Sequence, residues 1–155
     1  MTGLTGIWHF SFTVSDLDAS IRFYRDLLGM VLVHQQDQDN EYTRRLVGYS
    51  DANLRVAQLA VPPVSSTHSS HDLELVQYLA PVAEPTDPER KRAGAAHLAF
   101  TTDDIFGTSA RLTAEGVEFV SPPNEITAGV NKGGYTCYFL GPDRETLELV
   151  QPPAR

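Results

Sequence analysis

The run Leu73-Glu-Leu-Val-Gln77 recurs letter for letter as Leu147-Glu-Leu-Val-Gln151, and this repetition constrains the fold more than any other feature of the chain. Two further pairs occur in the same order. Residues 7–16 (IWHFSFTVSD) are matched by residues 95–104 (AAHLAFTTDD); each run sets one histidine early in an alternating strand and ends on residues that cap helices. Helical spacing follows both. Leu17, Ile21, Tyr24, Leu27 and Leu28 lead to Gly29, and Ile105, Ala110, Leu112 and Ala114 lead to Gly116, a glycine in each case at the usual left-handed cap. Strands are then expected at 30–34 and 54–61 in the first copy, and at 117–120 and 135–140 in the second. The fold class is α+β, built from two tandem βαβββ modules, 5–80 and 95–152, with a linker at 81–94, in one domain spanning 1–155. The segment 40–48 is extra in the first module and reads as a short helix or a lid. Residues 62–71 and 122–134 read as irregular connections.

Side chains alternate across a strand, so neighbours reveal which face a residue occupies. Trp8, Phe10, Phe12 and Val14 form a bulky set expected to pack on helices, which turns His9 to the other face with Ser11 and Thr13. Leu98 and Phe100 likewise leave His97 with Ala95, Ala99 and Thr101. In the closing strands, Glu74 lies opposite Leu73 and Leu75, and Glu148 opposite Leu147 and Leu149. A carboxylate in an apolar strand is costly unless a cation or hydrogen-bond donors neutralise it, and no lysine or arginine alternates onto that face. One metal ion held by His9, Glu74, His97 and Glu148 resolves the cost. Two imidazoles and two carboxylates suit a divalent ion such as Zn, Ni, Co, Mn or Fe. On an octahedral ion they leave two positions for substrate oxygens, where the metal can stabilise an enolate as a Lewis acid.

Composition narrows the partners. A formal charge of −8 in 155 residues repels phosphate backbones and anionic membranes, which argues against nucleic acid and membrane partners. No apolar stretch approaches spanning length, and no N-terminal basic-plus-apolar signal is present, so a reducing cytoplasm is expected. The single cysteine, Cys137, excludes an intrachain disulfide and reads as a small buried strand residue. Arg44 and Arg45 can clamp a substrate carboxylate or phosphate, or form a solvated helix face. Lys132, in a glycine-flanked loop, can cover a ligand or sit in a simple turn. His68 and His71 are spaced H-x-x-H within a Ser-rich run that reads as a solvated loop, His34 as a strand-end histidine, and residues 141–144 as a turn.

The paired modules, with histidine near the start and glutamate near the end of each, resemble the vicinal oxygen chelate superfamily of glyoxalase I, methylmalonyl-CoA epimerase, extradiol dioxygenases and fosfomycin or bleomycin resistance proteins. The resemblance covers nearly the whole chain and implies a cupped, barrel-like mixed sheet with helices outside. It maps the metal positions onto His9, Glu74, His97 and Glu148. The His/Glu/His/Glu set is most similar to glyoxalase I-type isomerases, whereas the epimerases usually carry Gln where Glu74 stands. It further implies a divalent-metal-dependent isomerase, epimerase or lyase acting on a small carbonyl substrate, with Glu148 as the first candidate base and Glu74 as the second, and a homodimer. The alternatives are an Fe(II)-dependent extradiol-type dioxygenase, in which a fourth protein ligand is unexplained, and a non-catalytic drug- or metabolite-binding resistance protein.

Overall fold

Each helix that follows a histidine strand starts where its sequence has both a cap and an anchor. A computed structural model of the chain describes residues 3–64 and 69–154. It divides into two compact units, Met1–Pro85 and Thr86–Arg155.

The first unit runs β1 (Phe10–Thr13), α1 (Leu17–Arg22), β2 (Val31–Gln38), α2 (Glu41–Val47), β3 (Asn53–Ala60) and β4 (Leu73–Ala80). Asp16 caps α1 by accepting from the Ala19 N–H at 2.9 Å, and Gln77 Oε1 accepts from the Leu17 N–H at 3.3 Å. Two otherwise orphaned N–H groups of the helix start are thereby satisfied. Leu17, Ile21 and Tyr24 are buried, and the helix loosens into a π-helical turn over Phe23–Leu27 before Gly29 reverses the chain at φ +78°. The sheet order is β1-β4-β3-β2, with β1 parallel to β4 and the other neighbours antiparallel. The segment 40–48 is a helix: Asn40 caps α2 by accepting from the Thr43 N–H at 2.9 Å, and Gly48 ends it at φ +80°.

The second unit repeats the plan as β5 (His97–Thr101), α3 (Ile105–Ala114), β6 (Asn124–Glu125), β7 (Tyr135–Leu140) and β8 (Thr146–Gln151), in the order β5-β8-β7-β6. Asp104 accepts from the Gly107 N–H at 2.8 Å, and Gln151 Oε1 accepts from the Ile105 N–H at 2.8 Å. The glutamine closing both copies of the repeated motif thus ties the last strand of its unit to the start of its helix. The α+β class and the two βαβββ units match the sequence expectation. No helix among the described residues is long and apolar enough to cross a membrane.

Two expectations are corrected. The strand expected at 117–120 makes only an isolated bridge, Phe119 to Phe139, flanked by bonds from the Val120 N–H to the Tyr138 carbonyl and from the Leu140 N–H to the Glu118 carbonyl. Pro122 and Pro123 bring no N–H to continue the ladder, so pairing resumes only at Asn124–Glu125. Trp8 does not pack inward with the rest of the bulky set, of which Val14 is buried and Phe10 and Phe12 are half-buried. The strand begins at Phe10, the alternation does not reach back to Trp8, and its ring is 62% exposed.

Candidate metal centre

The repeated Leu-Glu-Leu-Val motif buries its leucines and leaves its glutamates half-buried on the opposite face. In the first unit Glu74 is flanked by Ser11 on β1 and Gln58 on β3. In the second, Glu148 is flanked by Ala99 on β5 and Tyr138 on β7. The registers are equivalent, and each sets its glutamate beside the histidine of its own unit.

His9 lies just before β1 and turns Nε2 toward Glu74 Oε1, 3.7 Å away. Its Nδ1 faces His71 Nε2 at 3.0 Å. Gln58 donates its amide to Glu74 Oε2 at 3.4 Å. His9, His71 and Glu74 each offer a donor atom within 4.8 Å of the others, a spacing compatible with a bound cation. His71 is therefore a site residue that the sequence reading missed. Far from standing in a solvated loop, it is 4% exposed, and its Nδ1 lies 3.0 Å from Ser69 Oγ. Burial, reinforced by the charge of His9, pushes its imidazole below the ordinary histidine range. One sequence signal marks it: His71 and the buried Glu145 both stand two positions before the leucine that opens the shared motif. Its H-x-x-H partner, His68, lies outside the described residues.

In the second unit His97 Nε2 lies 3.2 Å from Glu148 Oε2. The imidazole packs edge-on against Tyr138, centroids 5.5 Å apart, and Arg90 sits 6.0 Å over the other ring partner's centroid, that of Tyr138. Thr136 Oγ1 donates to Glu148 Oε1 and also lies 3.0 Å from the Leu149 carbonyl oxygen. A hydroxyl has one proton to give, so these two acceptors share it.

Arg44 is bound to Asp39, and Arg45 lies 3.7 Å from Glu41 one helical turn earlier, so both arginines are engaged by acids at the start of α2. Lys132 is exposed in a turn, its N–H bonded to the Gly129 carbonyl. Cys137 is buried on β7. Burial and the nearby Glu148 charge push its thiol up to about 11, which leaves it protonated and unreactive near neutrality.

The donor chemistry fits a divalent ion. Each unit supplies an imidazole and a carboxylate within a few ångströms, with hydrogen-bond donors on the carboxylate oxygens and, among the described residues, no lysine or arginine paired to them.

The chain is similar to known proteins in sequence and in fold. Residues 6–149 match the family model for the Glyoxalase/Bleomycin resistance protein/Dioxygenase superfamily. The chain is 32% identical to a 2-epi-5-epi-valiolone epimerase from Actinomyces sp., over 98% of its own length and 82% of that protein. It is 28% identical to the lactoylglutathione lyase of Haemophilus influenzae, over 94% of its own length and 91% of the relative. It also shares the fold of a glyoxalase family protein from Bacillus cereus, with a TM-score of 0.80, 24% identity and 99% coverage of both chains.

Proposed function

The chain belongs to the Glyoxalase/Bleomycin resistance protein/Dioxygenase superfamily, and we propose that within it this protein is a divalent-metal-dependent isomerase, epimerase or lyase that moves a proton next to a carbonyl of a small substrate. The observation that carries the reading is the duplicated His–Glu pair, His9 with Glu74 and His97 with Glu148, at equivalent positions of the internal repeat. An epimerase and a lyase among the similar proteins support it. These four residues are the proposed metal ligands, and a bound divalent ion supplies Lewis-acid polarisation of the substrate carbonyl.

The chain's own residues account for the proton. Glu148 is the proposed base and Glu74 the second candidate. An ionised Glu148 accepts from the Thr136 hydroxyl at Oε1 and keeps Oε2 toward His97. Once Glu148 takes up a proton, Thr136 turns its own proton to the Leu149 carbonyl, so either charge state of the carboxyl finds a partner. A general base needs this tolerance of both states. Part of Glu148 also stays shielded from water, its side chain being 15% exposed.

The remaining parts of the proposal are a small-molecule substrate, a homodimer, and a site for substrate anions at Arg44, Arg45 or Lys132. Release of Asp39 and Glu41 would be needed before either arginine could act. The test is purified protein loaded with Zn, Ni, Co, Mn or Fe and assayed, with and without oxygen, against 2-epi-5-epi-valiolone, lactoylglutathione and a catechol. Metal-dependent, oxygen-independent turnover supports the proposal. Iron-dependent oxygen consumption would replace it with ring-cleaving oxygenation, and binding without turnover would replace it with sequestration.

A further inference from the structure

His71 lies in none of the ligand pairs, yet it is the most deeply buried histidine among the described residues and bonds on both sides. Proton counting along this chain of bonds gives each ring a definite state. Ser69 Oγ is 2.8 Å from the His71 carbonyl oxygen, which can only accept, so the single hydroxyl proton goes there. Ser69 Oγ is then an acceptor toward both His71 groups that face it, the backbone N–H at 3.2 Å and Nδ1 at 3.0 Å. A neutral His71 therefore carries its ring proton on Nδ1 and presents a bare Nε2. The 3.0 Å contact with His9 requires one proton, so His9 donates from Nδ1. Its Nε2 is left bare, facing Glu74.

The 3.7 Å gap from that nitrogen to Glu74 Oε1 agrees, since it is longer than a hydrogen bond. The internal repeat says which nitrogen matters: in the second unit it is also Nε2 of the histidine that faces the glutamate. The repeat also makes the device one-sided, because the second unit has Glu145 where the first has His71.

We propose that His71, anchored by Ser69, is a positioning residue that holds His9 in the Nδ1–H tautomer with Nε2 free to ligate a divalent cation. The inference rests on the reading of His9 as a metal ligand given above. Partners that orient a ligating imidazole are worth 10- to 100-fold in metal affinity.

Long-range proton–nitrogen-15 NMR of the metal-free wild-type protein, at a pH where histidines are neutral, reads the tautomer directly. The expected result is a His9 protonated at Nδ1 and a His71 protonated at Nδ1. Competition with a chelator then gives the Zn²⁺ affinity of His71→Phe, Ser69→Ala and His71→Gln. His71→Phe should bind 10- to 100-fold more weakly, and Ser69→Ala should bind more weakly with a mixed His9 tautomer. His71→Gln, whose amide oxygen can accept from His9, should recover most of the affinity. A wild-type His9 protonated at Nε2 overturns the proposal, as does Zn²⁺ affinity unchanged in His71→Phe. A Gln variant no better than Phe also counts against it, and points to His71 as a direct ligand. Absence of Zn²⁺ binding alongside the expected tautomer would instead overturn the metal-ligand reading and leave the hydrogen-bond assignment standing.

Discussion

Replacing Thr136 by valine probes the second His–Glu pair without touching either member. Valine has the shape of threonine and keeps the β-branch that suits β7, so the strand should persist. The substitution removes the only proton that Thr136 shares between Glu148 Oε1 and the Leu149 carbonyl. Gln58 plays no part here, because it serves Glu74 in the other unit. A hydrogen bond to a charged group contributes about 1.5–3 kcal/mol. The Glu148 side chain is 15% exposed, so water can replace part of the lost bond, which argues for the lower end. A loss of about 2 kcal/mol corresponds to roughly 30-fold in an equilibrium constant. Zn²⁺ competition against a chelator should therefore show Thr136→Val binding about 10- to 100-fold more weakly. Thr136→Ser, which retains the hydroxyl, should stay within a few-fold of wild type. Equal affinity for wild type and Thr136→Val would refute the claim that this hydroxyl supports Glu148 as a ligand. A parallel loss in Thr136→Ser would refute the claim that the hydroxyl, rather than packing, is what matters.

Gln151→Ala removes the acceptor for the Ile105 N–H and should lower unfolding free energy by about 1 kcal/mol, read by urea denaturation; no change would mean that water caps α3 equally well. Cys137 should resist thiol reagents near neutrality and react only on unfolding or toward its raised value of about 11. Because the unfolded thiol loses its proton from about 9, folded stability should also fall as pH rises from about 9 to 11, by at most about 1.4 kcal/mol per unit, and Cys137→Ala should flatten that decline. Glu148→Gln should leave the fold intact by circular dichroism and reduce turnover by about two to four orders of magnitude, whereas full activity would remove Glu148 from the base role.

Much of the molecule was legible in the sequence because it is written twice. The duplicated motif fixed the equivalence of Glu74 with Glu148, and leucine alternation put both on the polar face. The caps at Asp16 and Asp104 were visible because a short polar side chain ahead of a helical run has one obvious use. What escaped was non-local or negative. The role of the motif's glutamine depends on a helix start 60 residues away in the first unit and 46 away in the second, which no local pattern announces. Val117 to Val120 had strand-like composition, but two prolines downstream decided the pairing. His71 was hidden by serine-rich neighbours that suggest solvent, while the neighbouring strand start at Leu73 carries it into the interior.

Whether His9, Glu74, His97 and Glu148 hold a metal ion is decided by metal analysis of the purified protein and of the four single substitutions His9→Ala, Glu74→Ala, His97→Ala and Glu148→Ala. The expectation is one divalent ion per chain in the wild type, with weakened binding in every variant. A protein that takes up no stoichiometric divalent metal would contradict it, and so would an ion whose affinity responds to His9 and Glu74 but is indifferent to His97 and Glu148.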